Sequence, residues 1–455
     1  MTAYKIGQHM SKTFLSIKEK CICTMKIGTL GAGLCGLAAA HTLNGAAECT
    51  IFEKYDTAGG CMASKTYGSY RLETLYHHCF SGDSVLFALL EELGLKDDLL
   101  WLKGSTGYYA KGKLEPVTTP SEILKWSALT LPQKARLALF VLSARSFDAD
   151  ALDSITASSY LKEKVGDGVY KAFFAPLLRS KFGPKADSVS AAWLMSRVAI
   201  RSDRGTEGER LGYLKGGWHR LTDAFCALLT QKGCTIKTGC PVTSIAYEDG
   251  KWLINGEAFD AVISTIPPQE LGKICKTPHA LQCPKVPYQG AACLTMGLKK
   301  DPAKGIYWTN MGEESPYGAV VVHTNFAPFE WYGEHVAYLT SYFTGSVPEN
   351  LKERMITDFT RRFGLERSDI THADLYIEQL AGPVFETGYK KRIPPLTLGP
   401  RFYSAGMFSE ENYPERSMEG SLKAGIRAAE QLLSDIREET KGETKAEPKE
   451  ETTEA

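Results

Sequence analysis

Residues 25–60 read MKIGTLGAGLCGLAAAHTLNGAAECTIFEKYDTAGG, and no other stretch constrains the fold of this chain as strongly. Lys26 to Leu30 is a short apolar strand, Leu34 to Leu43 an alanine-rich helical run, and Cys49 to Phe52 a second apolar strand ending at Glu53. Between the first strand and the helix, Gly31, Gly33 and Gly36 supply G-x-G-x-x-G. The first glycine permits a tight turn, the second leaves room for a pyrophosphate, and the third lets the helix pack close to the sheet. The helix opening at Leu34 presents its positive end to phosphate. Glu53 lies 22 residues after Gly31, about where an acid hydrogen-bonds a ribose hydroxyl. Glycines before a helix are common; with strand, helix, second strand and acid in register, the stretch reads as a dinucleotide-binding unit. The acid argues against a 2′-phosphate, and so against NADP.

Gly59-Gly60 follows Glu53 after a short loop and brings the backbone close to the diphosphate a second time. This arrangement resembles the FAD-binding fingerprint of the flavin amine oxidase, protoporphyrinogen oxidase and phytoene desaturase superfamily. The resemblance implies FAD, held by Gly31, Gly33, Leu34, Gly36, Glu53, Lys54, Gly59 and Gly60. Members often carry Arg directly after the second glycine; here Cys61 stands there.

Two later stretches return to the same fold. Leu221 to Leu229 has helical spacing with Gly233 as its stop. Val242–Tyr247 and Lys251–Ile254 flank the hairpin signal Asp249-Gly250, and Asp260–Ile266 is a buried strand ending at Pro267-Pro268. The resemblance implies a backbone contact to adenine at Val242 and a strand passing the cofactor at Thr265. The third return is a strand from Phe402 to Ala405, then Gly406, then a helix from Met418 to Leu433 with Ser417 as N-cap. Its opening Met418-Glu419-Gly420-Ser421 resembles the segment beneath the isoalloxazine ring, where a helix N-terminus stabilises negative charge on the flavin. Gly406, Met418, Glu419 and Ser421 join the expected cofactor set; Met407 replaces an acid often found after the strand glycine.

The expected fold class is therefore α/β: a discontinuous Rossmann-like FAD-binding domain (residues 25–80, 211–275 and 396–436) with an inserted α+β substrate domain (81–210 and 276–395). The first interval is mostly helical by pattern, including Ser84–Leu93 and the amphipathic Ser121–Leu142. The second mixes strands (Ala291–Leu298, Ala319–His323, His335–Tyr342) with a helix near Asn350–Phe363. Residues 1–24 form a polar N-terminal extension, and 437–455, almost without apolar residues, form a disordered tail.

Lys+Arg and Asp+Glu are equal at 53 each, which gives no bulk electrostatic case for nucleic acid. The twelve cysteines lack zinc-site spacing, and a chain with a core this large does not need disulfides, so reduced thiols are expected. No secretory segment and no run of 18 apolar residues stands out. The expected location is cytoplasmic, with association at the cytoplasmic face of a membrane as an alternative. Trp126 and the Leu/Ala/Phe-rich stretch through Phe140, with Lys125, Lys134 and Arg136, read either as a core helix pair or as a surface for that contact.

Glu73-Thr74-Leu75-Tyr76-His77-His78-Cys79-Phe80 resembles an E-x-x-Y-H-H-x-F stretch in a prokaryotic branch of NAD(P)/FAD-dependent oxidoreductases related to protoporphyrinogen oxidase. His323–Phe326 and Lys181–Arg197 match further motifs of that branch. Tyr76, His77, His78, His323 and Asn325 are the catalytic candidates, read as a polar lining or proton relay. The plainer reading gives these histidines structural hydrogen bonds, and their spacing does not suit a metal. The two segments are expected to meet near the flavin.

The strand Gly290–Leu298 has no Lys where amine oxidases commonly place one near flavin N5. The resemblance thus implies an FAD-dependent oxidoreductase that dehydrogenates a hydrophobic or polycyclic molecule (isoprenoid, lipid or porphyrin-like), passing electrons to an acceptor the sequence does not name. Alternatives are a redox-neutral isomerase resembling UDP-galactopyranose mutase, with Arg179, Arg197 and Arg201 for a diphosphate, and a non-catalytic electron-transfer subunit.

Overall fold

The computed structural model describes residues 25–144, 146–202, 209–276 and 285–446; the N-terminal extension lies outside them. Strand β1 (Lys26–Leu30), helix α1 (Leu34–Leu43) and strand β2 (Glu48–Phe52) form where the sequence places them. A six-stranded sheet runs in the order Thr397–Gly399, Phe402–Ser404, Ala261–Ser264, β1, β2, Thr235–Lys237, parallel throughout except for its first pair. Its strands come from three separated parts of the chain, and short apolar runs suit a parallel sheet buried on both faces.

Helix α1 is apolar nearly all round because it is enclosed. A Cβ on Gly36 would fall inside contact distance of the Gly31 carbonyl oxygen, and one on Gly425 would do the same to the Cys35 carbonyl. Gly425 lies in the helix Met418–Ala446, so α1 is pressed between the sheet turn on one side and that helix on the other.

Behind Ala261–Ser264 lies a three-stranded meander of Ile245–Glu248, Lys251–Ile254 and Glu257–Phe259. Asp249-Gly250 makes its first turn with φ +49° and +75°. Asn255-Gly256 makes the second with +50° and +85°, giving a third strand that the hairpin reading omitted.

The second large sheet has seven strands: Ile370–Pro383, Tyr288–Leu298, His335–Phe343, Ala319–Val322, Trp308–Met311, Thr106–Ala110 and Lys113–Pro116. The first interval, expected to be mostly helical, therefore supplies two of its strands, joined by parallel pairing of Thr106–Ala110 to Trp308–Met311. Alternation divides this sheet into two faces. Ala292, Leu294, Met296 and Leu298, with Val320, Val322, Ala337 and Leu339, pack under the helix Leu351–Phe363. Cys293, Val321 and Tyr338 project the other way, into the core of the dinucleotide fold.

Two expectations are corrected. The helical stretch Ser121–Leu142 is two helices, Pro120–Lys125 and Leu131–Ser143, because Thr130, Pro132 and Gln133 start a new helix with a capping box. Trp126, 2% exposed, sits in the gap against Tyr108 and Phe173, which places it in the core. The tail expected to be disordered from residue 437 instead continues the C-terminal helix to Ala446. Ile436 is buried, Arg401 pairs with Glu439, and Glu and Lys are good helix formers that extend a helix already nucleated by packing. Residues 447–455 lie outside the described residues.

Gly425→Ala tests the helix contact. Alanine gains about 1 kcal/mol of helix propensity, but forcing a methyl into packed backbone costs about 1–3 kcal/mol. The carbonyl at Cys35 cannot rotate away, so a lower denaturation midpoint is expected; an unchanged or higher midpoint would show that the two helices separate freely.

Candidate active site

The dinucleotide turn is shaped by backbone. Gly31 takes φ +98°, open to glycine and strained for other residues. Gly59 (φ +123°) donates its N–H to the Ala32 carbonyl at 2.9 Å and bridges Gly33, while a Cβ on Gly60 would lie 3.2 Å from Gly33 Cα. The two glycine turns therefore meet backbone to backbone beside the N-terminus of α1. No side chain caps that terminus and its first turn holds no acid, which leaves its N–H groups and positive end for a diphosphate.

Glu53 is 5% exposed; its carboxylate accepts the Ala32 N–H at 2.9 Å and the Tyr55 N–H at 3.0 Å, fixing it at the end of β2 beside the glycine turn. Lys54 turns away, over the Tyr55 ring at 4.4 Å. The Thr265 hydroxyl donates to the Leu30 carbonyl at 2.7 Å, so the neighbouring strand clamps the glycine turn. Val242 is half-buried against the meander core, and the next two N–H groups are held by Asn255 Oδ1.

At the third return, Gly406 donates its N–H to Ser409 Oγ at 2.9 Å and its carbonyl accepts from Asn412 Nδ2 at 3.1 Å. Ser417 caps the C-terminal helix by accepting the Gly420 N–H at 2.9 Å, and Ser421 returns its hydroxyl to the Ser417 carbonyl. Met418 is buried. The Glu419 side chain departs from a cofactor role. It accepts the Val85 and Leu86 N–H groups at 3.1 and 2.9 Å and so caps the helix Ser84–Glu92. That helix begins at Asp83, whose carboxyl burial raises to about 6.

The segment after Glu73 runs between the two sheets. Glu73 is 1% exposed. It accepts the Tyr213 hydroxyl at 3.0 Å and the Trp218 N–H on its carboxylate, and the Tyr338 hydroxyl at 3.1 Å on its carbonyl. Tyr76 packs edge-on against Trp308 and Tyr338, with ring centroids 5.0 and 6.0 Å away. His77 Nδ1 contacts the Leu75 carbonyl at 2.6 Å. Burial holds its imidazole down at about 4, the Leu75 carbonyl opposing this and the nearby Arg416 guanidinium adding to it. His78 packs edge-on to Phe80 at 5.2 Å.

His323 is 2% exposed and bonds Tyr332 through Nε2 at 2.8 Å, with Tyr213 and Tyr338 rings 4.9 and 5.9 Å away. Tyr338 therefore touches both Tyr76 and His323, and the two distant segments share one aromatic cluster. Asn325 does not join it: its amide holds Asp301 at 2.9 Å and the Ile306 carbonyl at 3.1 Å, a loop-fixing role that corrects its place among the catalytic candidates. Two surface recesses of about 390 and 290 Å3 share Tyr332 and Glu334; neither is lined by Gly60 or Gly406. Of the arginines considered for a diphosphate, Arg197 pairs with Glu415 at 3.2 Å, Arg179 lies near Tyr108 and Tyr170, and the Arg201 side chain lies outside what is described.

Sequence reasoning missed three groups here. Glu73 was visible as the start of its motif, but its burial was not. Gly420, where a Cβ would collide with Asn412 and the Glu411 carbonyl, looked like an ordinary helix residue. Arg416 had no signal beyond its place before the helix.

The chain matches the family model of flavin containing amine oxidoreductases over residues 34–433, and it belongs to that family. It is an FAD-dependent oxidoreductase. Over 174 residues it is 25% identical to the coproporphyrinogen III oxidase of Propionibacterium freudenreichii subsp. freudenreichii; the match spans 35% of this chain and about a third (32%) of that enzyme. Among solved structures, a protein of Exiguobacterium sp. 255-15 provisionally assigned as a protoporphyrinogen oxidase aligns with a TM-score of 0.72 and 17% identity, over 91% of this chain and 100% of its own. Reduced UDP-galactopyranose mutase aligns at 0.71 and 18% identity, over 90% and 94%. The cyclohexylamine oxidase of Brevibacterium oxydans IH-35A aligns at 0.63 and 17%, over 91% and 99%. These structural likenesses show the fold alone.

Burial of His323 sets a pH dependence. Its imidazole is held down at about 3 against an ordinary 6.5, so below pH 6.5 the unfolded chain takes up a proton that the folded chain refuses. Stability contributed here is present at neutral pH and lost as pH falls from 6.5 toward 3. Asp83 works in the opposite sense between about 6 and 4, so the comparison of variants is the measurement. Denaturation midpoints of His323→Phe are expected to fall less steeply between pH 7 and 5 than those of the wild type; parallel curves would contradict this.

Proposed function

We propose that this enzyme removes hydride from a large, reduced, multi-ring system of the porphyrinogen kind, with FAD as the acceptor. The observation that carries the reading is the character of the seven-stranded sheet's inner face. Tyr76 and Trp308, both half-buried, pack edge-on there, with Tyr76 also edge-on to the buried Tyr338, and the strand Tyr288–Leu298 beneath them carries no lysine. Aromatic faces suit a polycyclic substrate better than a small amine. The partial likeness to coproporphyrinogen III oxidase supports the same substrate class.

FAD supplies the hydride acceptor; the protein supplies orientation, exclusion of water and electrostatics. The uncapped N–H groups at the N-terminus of α1, beside the Gly33–Gly60 contact, would hold the diphosphate and Glu53 a ribose hydroxyl, with the N-terminus of the C-terminal helix toward the flavin. His77, with Nδ1 directed at the Leu75 carbonyl, carries its proton there and leaves Nε2 as a lone-pair acceptor, neutral at pH 7, for a pyrrole N–H. Tyr76 positions the ring by packing. His78 and His323 keep the supporting cluster in shape.

Purified protein should be yellow, release FAD on denaturation, and bleach anaerobically with a porphyrinogen but not with primary amines. A flavin bleached by amines and untouched by porphyrinogens would overturn the substrate assignment. Gly33→Val should remove flavin while leaving the circular dichroism spectrum largely intact; a full flavin complement in that variant would mean the diphosphate is not at this turn.

A second observation favours peripheral membrane contact, which suits an apolar substrate. On the helix Leu131–Ser143, Leu131 and Leu139 are each 68% exposed and Leu142 56%, and all three lie on one side with Ala135 and Ala138. Among the described residues no helix is long and apolar enough to cross a membrane, so the contact would be interfacial. Vesicle flotation should retain the wild type and lose Leu131→Glu/Leu139→Glu; equal flotation of both would remove this contact.

A further inference from the structure

Arg416 lies between Tyr413 and Met418, where the chain enters the C-terminal helix, and the fold alone does not account for its setting. The point that a Cβ on Gly382 would occupy is filled by the Arg416 guanidinium, which packs directly on the Gly382 backbone. Gly382 is paired with Gln289 across an antiparallel ladder. Directly opposed residues project from the same face, so the guanidinium lies on the face from which the Gln289 side chain projects. Gln289 is 2% exposed, and its amide nitrogen has no hydrogen-bond partner. Buried donors are ordinarily satisfied, and this one is not.

The acids in this part of the molecule have other recorded partners. Glu415 pairs with Arg197, Glu386 with Lys185 and Arg392, and Glu378 accepts from Tyr55. Among the described residues none forms an ion pair with Arg416. Cys61, whose thiol contacts the Ala381 carbonyl, brings the Gly-Gly turn alongside, and His77, Tyr288 and Tyr389 complete the neighbourhood as groups uncharged at pH 7. A cation and an orphaned N–H donor thus share one face beside the Gly-Gly turn and the Tyr76–His77 segment.

We infer that Arg416 and Gln289 receive a carboxylate of the substrate. The inference rests on the reading above and narrows it: the ring system must carry acidic side arms. A guanidinium accepts a carboxylate through two parallel N–H bonds, and the Gln289 amide adds a third donor, so an ester at the same position loses the charge and most of the geometry.

The test uses FAD-loaded full-length protein and two probes, coproporphyrin III and its tetramethyl ester, titrated by porphyrin fluorescence and by perturbation of the flavin spectrum. Arg416→Met should weaken the tetra-acid at least tenfold, leave the ester and the FAD content unchanged, and flatten the salt dependence of acid binding. Gln289→Leu should act in the same direction more mildly, and Arg416→Lys should recover part of the affinity. Equal weakening of acid and ester, no change in either, or loss of FAD in Arg416→Met would each overturn the inference. Wild-type protein that binds neither probe removes the porphyrinogen reading instead. The carboxylate site then stands or falls on whether long-chain apolar acids perturb the flavin spectrum in wild type but not in Arg416→Met.

Discussion

The arrangement depends on how closely one short helix is held. Helix α1 lies against the Gly31 turn through Gly36 and against the C-terminal helix through Gly425, and in both contacts a hydrogen atom stands where any side chain would strike a carbonyl oxygen. This closeness holds the N-terminus of α1 beside the Gly33–Gly60 contact. It also ties the third return of the chain to the first, because the helix that packs on α1 belongs to that third return. A diphosphate site made of N–H groups works only if those groups are held without rearrangement, and two helix contacts at backbone distance provide that rigidity. The Glu419 cap adds a tie from the same helix to Ser84–Glu92.

The large sheet turns the same economy of space into chemistry. Its outer face is aliphatic and sealed by one helix, while its inner face carries Cys293, Tyr338 and the groups around Gly382 toward the cofactor fold. Glu73 joins the two halves: a carboxylate almost without exposure survives there because Tyr213 and Trp218 donate to it, and burial holds its carboxyl above the ordinary range. His323 illustrates the same rule with the opposite charge. It is buried too deeply to ionise, and it serves the cluster as a neutral partner of Tyr332.

Much of the cofactor half was legible in the sequence because its constraints are local. A glycine at a fixed offset from a strand, an acid at the end of the next strand, and a serine before a helix each act within a few residues, and Gly31, Glu53 and Ser417 stand where those rules place them. What escaped was set by partners distant in the chain. Glu419 looked like a flavin-segment acid because the N–H groups of Val85 and Leu86 lie more than 330 residues away. Asn325 looked functional because nothing near it in sequence reveals Asp301 as its partner across a loop. Thr106–Ala110 looked unremarkable because its strand character comes from pairing with Trp308–Met311. The segment 437–446 was misjudged for a different reason: low hydrophobicity argues against an independent fold, but it does not stop a helix already nucleated by packing from continuing.

The departures from the family pattern point in one direction. Cys61 and Met407 put uncharged side chains where relatives often place an arginine and an acid, and the polar groups that remain beside the glycine turn are backbone donors, the uncapped N-terminus of α1 and Glu53. Burial then favours neutral groups around that cleft: the Cys61 thiol is pushed up to about 11, and the His77 imidazole is held down at about 4. In the reading proposed for this enzyme, the Arg416 guanidinium, which has no ion-pair partner among the described residues, selects what enters by sign before shape: half-buried aromatic rings alone would admit any large apolar molecule, and Arg416 with the unsatisfied Gln289 amide would discriminate among such molecules by the acid groups they carry.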